Sequence, residues 1–394
     1  MAKKTDKPKV EKSVDILSNK DMLLMINKRL GEGTIYTFDG DSTVKIQPVS
    51  TGIPSLDFAL GIGGWPWGRL VELYGPESSG KTTIALKTAA KFQALAKIPG
   101  HPFYGKKVVF IDAEHALDPF HAQKLGVDIS EETGMLIAQP DCGENAYDLM
   151  EVLILSGQTG LIVGDSLPSF IPKKVIDGSA EDNHIGLQAR LNSQCLPKMA
   201  NFGSKNDTLI IMINQIREKV GVMYGNPETT PGGRALKFYS SVRAEVRKKE
   251  LKKGDVIIGQ TMTVSVKKNK VSRPFTKSEF DYYYDTGVDV VKDIMNVAID
   301  MKIIHRRGSY YFLGPDPEDA KNVYTDGAGN ELKWSGKDTL EAVLKESPAL
   351  YQYIDDIVQG RIPKDAQFIE EEHHENEVLE EEMAFEEIGP LVNI

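Results

Sequence analysis

Cysteine is scarce: the 394 residues contain two, Cys142 and Cys195, in no metal-ligand spacing. That excludes a disulfide framework and a cysteine-based zinc site, and it fits a reducing compartment. Long apolar runs are missing too. None approaches the roughly 18 residues that span a bilayer, and MAKKTDKPKVEK at the start has no apolar stretch behind its lysines, so neither a membrane span nor a secretory signal is expected. Nor is the composition extreme. With 41% hydrophobic and 26% charged residues, a wholly disordered or fibrous chain is excluded, and the length suits two or three domains with a sizeable core. The cytoplasm is the expected location, with no membrane partner.

Basic residues are absent from one end. After Lys364 there is no Lys or Arg, while eleven Asp and Glu fall between Asp365 and Glu387. Removing those eleven charges from the chain's net −10 leaves +1 for residues 1–364, so the acidity belongs to one tail. Such a block is either a solvated, disordered tail or an electrostatic mimic of DNA that competes for a basic surface on the body. At the other end, Ser18 is placed to cap a short helix whose apolar side holds Met22, Leu23, Met25, Ile26 and Leu30, with Asp21 three residues on favouring the same start. A helix that small must pack on something else, either its own core or a neighbouring subunit.

From about residue 49 the texture is α/β. VELYG (71–75), KVVFID (107–112), LIVGDS (161–166) and TLIIMIN (208–214) are near-continuous apolar runs separated by helical segments. They read as strands buried on both faces of a parallel sheet sandwiched by helices. The runs end at Gly75, Asp112, Asp165 and Asn214, and in such sheets ligands sit at the carboxyl ends of the strands. From about 291 an amphipathic helix opens a smaller α/β segment. The expected division is 1–48, an N-terminal helix and linker for subunit packing; 49–290, the α/β core; 291–364, a small C-terminal domain; and 365–394, the acidic tail. The segment TDGAGNE lacks alternate carboxylates and reads as a turn rather than a calcium loop.

Gly75, Pro76, Glu77, Ser78, Ser79, Gly80, Lys81 and Thr82, with Thr83 following, match G-x-x-x-x-G-K-[ST] at every fixed position, after a strand and before a long helix former. The glycines let the backbone wrap a polyphosphate, the amides point inward, and the helix N-terminus adds positive potential. Lys81 then reaches the β- and γ-phosphates, and Thr82 binds Mg²⁺. Asp165, ending LIVGD, is the expected partner of that ion. Glu114, two residues past KVVFID, can deprotonate an attacking water if it faces the γ-phosphate; the bland alternative is a surface glutamate.

These residues carry a family likeness. STGIPSLDFALGIGGWPWGRLVELYGPESSGKTT, FIDAEHALDPFHAQKLGVD, INQIREKVGVMYGNPETTPGGRALKFYSSVR and VKKNKVSRPFTKSEF resemble the bacterial RecA recombinase family, from about residue 48 to 290. The resemblance implies a RecA-type ATPase fold and a DNA-dependent ATPase, using ATP and Mg²⁺, that polymerises as a helical filament on single-stranded DNA and exchanges strands with duplex DNA. It makes Glu114 the general base, Asp165 the Mg²⁺-linked carboxylate, Asp118 and His121 neighbours of the adenine, and Gln215 the γ-phosphate sensor. Lys268 and Lys270, in KKNK, match lysines that the next protomer inserts at the phosphates. It implies as further partners LexA-like repressors and single-strand-binding or loading proteins.

Two stretches, 171–186 and 216–233, are polar or glycine-rich and too long for ordinary connections, which suits DNA-facing loops. Arg217 and Lys219 can neutralise phosphates, and Gly232 and Gly233 let the backbone come close. The family pattern places Ile185 and Val220 between stretched base triplets, and Arg190, Ser193, Lys198 and Arg234 complete the candidate DNA contacts. Tyr224 either stacks on a base or packs within its loop. Binding through phosphates is sequence-neutral and weakens with salt.

Some residues depart from the family pattern. Pro197 stands where an arginine is usual, which removes a charge and is expected to disturb the helix, with Lys198 as the compensating cation. His121 replaces a tyrosine. The stretches 96–107 and 313–331 are longer than typical. The departures mark a divergent member, with a bacteriophage or other mobile element as the alternative to a host chromosome, and an infected host's cytoplasm as the matching location. Two other readings share the same phosphate site: a DnaB-type hexameric helicase motor, against which the long second loop argues, and a DNA-coating protein without strand exchange.

Overall fold

The computed structural model describes residues 17–31, 34, 35, 37, 46–179, 186–218, 228–316, 318, 321–366 and 368. Met1–Ile46 and Gln47–Ile394 are separate units. In the first, α1 (Asn19–Leu30) begins where Ser18 Oγ accepts from the Asp21 amide at 3.2 Å and donates to Asp21 Oδ2 at 2.6 Å, a reciprocal cap of the kind the sequence suggests. None of its residues is buried.

In the second unit, α2 (Pro54–Leu60) precedes β1 (Leu70–Gly75), and α3 (Lys81–Ala96) follows it. Next come β2 (Lys107–Asp112), α4 (Pro119–Lys124), β3 (Leu136–Ala138), α5 (Gly143–Leu155), β4 (Thr159–Asp165), α6 (Leu187–Lys205), β5 (Leu209–Gln215) and α7 (Ala235–Tyr239). Two long strands, β6 (Val242–Lys253) and β7 (Val256–Asn269), lead to β8 (Lys277–Tyr283) and β9 (Gly287–Val288). Among the described residues these make one nine-stranded sheet of order β9-β8-β7-β6-β1-β5-β4-β2-β3. The run from β6 to β3 is parallel, and β7, β8 and β9 extend it antiparallel.

Alternation within the strands assigns each face its helices. Val71, Leu73, Phe110, Val163 and Ile211 pack with Ile84, Leu86, Ala89 and Phe92 of α3 and with α2. Their neighbours Leu70, Val109, Ile111, Ile162 and Met212 face Met150 of α5, Leu196 of α6 and Leu236 of α7. Each of these large aliphatic side chains contributes about 2 kcal/mol by burial. The fold is therefore α/β, a mostly parallel sheet between helices, and the ends of β1, β2, β4 and β5 open on one edge where a ligand site is expected.

A second hydrophobic cluster is built by α8 (Val290–Asp300), α9 (Lys337–Glu346), α10 (Pro348–Val358) and a three-stranded antiparallel sheet of β10 (His305–Arg307), β11 (Tyr310–Phe312) and β12 (Lys333–Ser335). It takes in Phe368, whose ring lies 5.1 Å from that of Tyr353, so packing runs into the segment that the sequence assigns to the tail. TDGAGNE is a turn in which Asp326 Oδ1 accepts from the amides of Ala328 and Asn330. The two clusters meet where α2 packs on α8. Ile53 offers α2 no side-chain cap, and the Asp293 carboxylate of α8 takes the Ser55 amide instead, at 2.8 Å. Ser55 Oγ in turn lies 2.7 Å from Ser278 Oγ of β8.

Pro197 does not end its helix: α6 is continuous from Leu187 to Lys205. The carbonyl that loses its amide donor there belongs to Ser193, an exposed position that water can reach. Among the described residues no helix is long and apolar enough to cross a membrane.

Candidate nucleotide site and DNA-facing loops

The phosphate loop links the end of β1 to the start of α3. Ser78 adopts φ +54° and Gly80 φ +91°, and Gly80 also lies so close to Met262 that an added Cβ would sit 2.3 Å from its methyl. Lys81 is the first residue of α3 and is nearly buried, its Nζ donating to the carbonyls of Pro76 at 2.6 Å and Gly75 at 3.3 Å. Burial lowers its pKa, against the opposing pull of Asp165, Glu114 and Glu77. Thr82 Oγ1 donates to Asp165 Oδ2 at 2.7 Å. Burial pushes the Asp165 carboxyl up to about 6, with the Glu114 charge adding to it and the Thr82 hydrogen bond and Lys81 working against it.

Glu114 follows β2 and turns into the same space. Its Oε1 accepts from the Ser166 hydroxyl and from Gln215 Nε2, the latter at 3.2 Å. Lys81, Thr82, Asp165, Glu114 and Gln215 are thus brought together from four strand ends. The Gly75 carbonyl also accepts from the Ile216 amide at 3.2 Å, which ties the phosphate loop to the start of the stretch 216–233.

The pieces fit a magnesium-bound polyphosphate. Ser79 Oγ is buried in the loop without a hydrogen-bond partner among the described residues, an orphan of the kind a ligand oxygen satisfies. Thr82 and Asp165 together offer the hydroxyl and the single carboxylate that Mg²⁺ typically takes from a protein.

Other candidates lie apart. Asp118 caps α4, accepting from the Phe120 amide at 2.9 Å, and His121 in that helix meets Tyr282 edge-on at 6.5 Å. Burial lowers the His121 pKa. Lys268 and Lys270 turn away from their own phosphate loop. Lys268 Nζ donates to the carbonyls of Lys237 at 2.7 Å and Phe238 at 3.0 Å, and Lys270 Nζ to that of Phe238 at 3.4 Å, all in α7, on the face opposite α3. Register pairs Lys268 with Arg243 and Arg243 with Glu72, three residues before Gly75, which puts Lys268 about 14 Å from Gly75 between Cα atoms. Burial, with Lys270 and Arg243 nearby, brings Lys268 down to about 8.

Arg190, Ser193 and Lys198 are exposed on α6, and Arg217 and Arg234 are exposed at the ends of the second stretch. Arg217 and Glu218 pair with Thr229 and Glu228 as a two-residue ribbon. Gly232 and Gly233 have φ of +82° and +86° and pack so tightly on Asn192 and Ala189 that a side chain at either would collide, a packing reason for glycine beside the proposed approach to DNA. Ile185, Lys219, Val220 and Tyr224 lie outside the described residues, as does all of 365–394 except Asp365, Ala366 and Phe368.

Sequence reasoning missed a buried polar group beside the sensor. Glu72, fully buried in β1, accepts from Arg243 Nε and, at 3.0 Å, from Asn214 Nδ2, while Asn214 Oδ1 takes the Gln215 amide at 2.9 Å. The one signal was a glutamate inside an otherwise apolar strand, since a buried charge needs partners.

A strand, a glycine-rich loop and a helix N-terminus, with an acid and an amide facing them from neighbouring strands, define a P-loop nucleotide-binding protein. The comparisons narrow the class. The profile of the RecA N-terminal domain matches residues 18–289. The chain is 48% identical to Protein RecA of Bacillus subtilis (strain 168) over 308 residues, 76% of this chain and 85% of that protein. It is 45% identical to Protein RecA of Heliobacterium modesticaldum over 339 residues, 85% and 90%, and 43% identical to Protein RecA of Clostridium novyi over 340 residues, 86% and 89%. The chain belongs to the RecA family.

Proposed function

We propose that the chain is a recombinase of homologous recombination and DNA repair, which assembles with ATP as a filament on single-stranded DNA and exchanges strands with duplex DNA while hydrolysing ATP. The observation that carries this reading is the shared Gly75 carbonyl, held by Lys81 of the phosphate loop and by Ile216 at the root of the second DNA-facing stretch. Nucleotide and DNA thereby act on one peptide group.

The loop amides, Lys81 and Thr83 receive the triphosphate. Thr82 and Asp165 would hold Mg²⁺, which when bound would supply charge neutralisation to the triphosphate. Glu114 takes a proton from the water whose oxygen bonds to the γ-phosphorus as the bond to ADP breaks, and Gln215 contacts the γ-phosphate. Asp118 and His121 border the base. Lys268 and Lys270 serve the neighbouring protomer's nucleotide, because in their own chain they face away from it. The uncovered apolar residues of α1 suit the same subunit packing. Arg190, Ser193, Lys198, Arg217, Lys219, Gly232, Gly233 and Arg234 contact DNA, with Ile185 and Val220 between bases. As for a bacterial recombinase of this family, the location is the cytoplasm, with LexA-like repressors and single-strand-binding or loading proteins as further partners.

Strand exchange between circular single-stranded and linear duplex DNA tests the function. ATP-dependent joint molecules are expected. A coating protein would protect the single strand without exchange, and a helicase would unwind a forked duplex instead.

A pH dependence follows from Asp165. Its folded pKa of about 6 lies above the ordinary 3.8, so the carboxylate takes up a proton as pH falls through 6. Magnesium-dependent nucleotide binding should then weaken by about tenfold per pH unit below that point. Stability runs the other way. A raised folded pKa means that the ionised group costs stability above 6, and the cost is relieved between 6 and 4. Asp57, fully buried and raised to about 7, and Asp293, raised to about 6, act in the same sense. Thermal melts of the nucleotide-free protein should therefore rise from pH 7.5 to 5.5 while titrated nucleotide affinity falls. Parallel changes would contradict the assignment.

A further inference from the structure

Ser166 follows Asp165 at the end of β4 and is 1% exposed. Its hydroxyl donates to Glu114 Oε1, the oxygen that Gln215 Nε2 also reaches at 3.2 Å. The serine is fixed independently of that bond. Its carbonyl accepts from the Ser169 amide at 2.9 Å, and the preceding carbonyl, that of Asp165, accepts from the Ala113 amide at 2.9 Å. The end of β4 therefore grips the Glu114 segment twice, through main chain at 113 and through a side chain at 114. The Ser166 bond alone fixes which carboxylate oxygen is held, so Oε1 faces the end of β4, and Oε2, which accepts no hydrogen bond among the described residues, is the atom placed to receive a proton.

We infer that Ser166 is a positioning residue for hydrolysis: it holds Glu114 by Oε1 so that Oε2 faces the attacking water. The inference rests on the reading of Glu114 as the general base. It does not depend on Gln215, and that is where the serine matters most. An amide that turns to a γ-phosphate leaves Glu114, and of the two donors Ser166 is then the one that stays. A carboxylate held by a buried hydroxyl keeps one rotamer, whereas an unrestrained one samples several, and a misplacement of about 1 Å can cost up to about a hundredfold in rate.

The test is a graded series at 166 with single-stranded DNA present. Ser166→Ala is expected to lower kcat by roughly tenfold to a hundredfold, leaving the KM for ATP and filament assembly in a non-hydrolysable ATP analogue unchanged. Ser166→Cys keeps the side-chain shape with a somewhat larger atom but donates weakly, so its kcat should fall between the two. Full kcat in a folded Ser166→Ala protein overturns the inference. So does wild-type kcat in Ser166→Cys beside an impaired Ser166→Ala, which would assign the serine to packing, and so does a loss confined to KM. Glu114→Gln is measured alongside. If it retains turnover, the general-base reading fails; if it is inactive while Ser166→Ala is normal, the positioning inference alone fails.

Discussion

Lys81→Ala is expected to lower ATP turnover by on the order of a hundred- to a thousandfold with little change in melting temperature. The ammonium is nearly buried at the phosphate loop and placed between two loop carbonyls and the charges of Asp165 and Glu114. A preorganised cation at the point where phosphate charge develops is worth far more than one in water. Its two hydrogen bonds contribute about 1 kcal/mol each to the nucleotide-free fold, and that is partly offset by no longer burying a cation. Turnover and a thermal melt on the same preparation check both halves. Activity within tenfold of wild type would place the phosphate contact elsewhere.

The second large effect is at a distance. Lys268→Ala should fold and melt like the parent monomer, since its ammonium only caps carbonyls of a five-residue helix. DNA-stimulated turnover should nevertheless drop by at least about tenfold, because the lysine acts on a neighbour's nucleotide. Mixing provides the sharper measurement. Lys81→Ala and Lys268→Ala are each expected to be strongly impaired alone, but in a mixed head-to-tail assembly about a quarter of the interfaces join an intact phosphate loop to an intact lysine. Recovered turnover on mixing is the expected result. No recovery, with both variants still assembling on DNA, would mean that each site is completed within one chain.

Much of this site is legible in the sequence for a simple reason. A phosphate loop is local, so its eight residues carry strand end, turn and helix start in one window, and the buried parallel strands announce themselves as apolar runs. What escapes is set by pairing over long distances. Ser166 reads as an unremarked residue after a strand, and its meaning comes from Glu114, 52 residues earlier. Glu72 reads as an exception inside VELYG until Asn214 and Arg243 arrive from two other strands to satisfy it. The antiparallel extension β7–β9 shows in the sequence only as alternation along QTMTVSVKKN, which the basic cluster at its end interrupts. Pro197 shows the opposite error: local propensity argues for a disturbed helix, yet packing of Leu196 and Met199 on either side keeps α6 whole.

The α2–α8 contact bears on how this chain can be recombined with its relatives. The C-terminal cluster supplies, through Asp293, a cap that α2 lacks of its own, and Ser278 steadies the same turn. A chimaera cut near residue 290 therefore inherits a helix start with its amide stranded unless the donor brings a carboxylate at the equivalent of 293. Swaps that move Ser55, Ser278 and Asp293 as a set should express as well as either parent, and those that split the trio should melt early, so the natural crossover point lies upstream of α2.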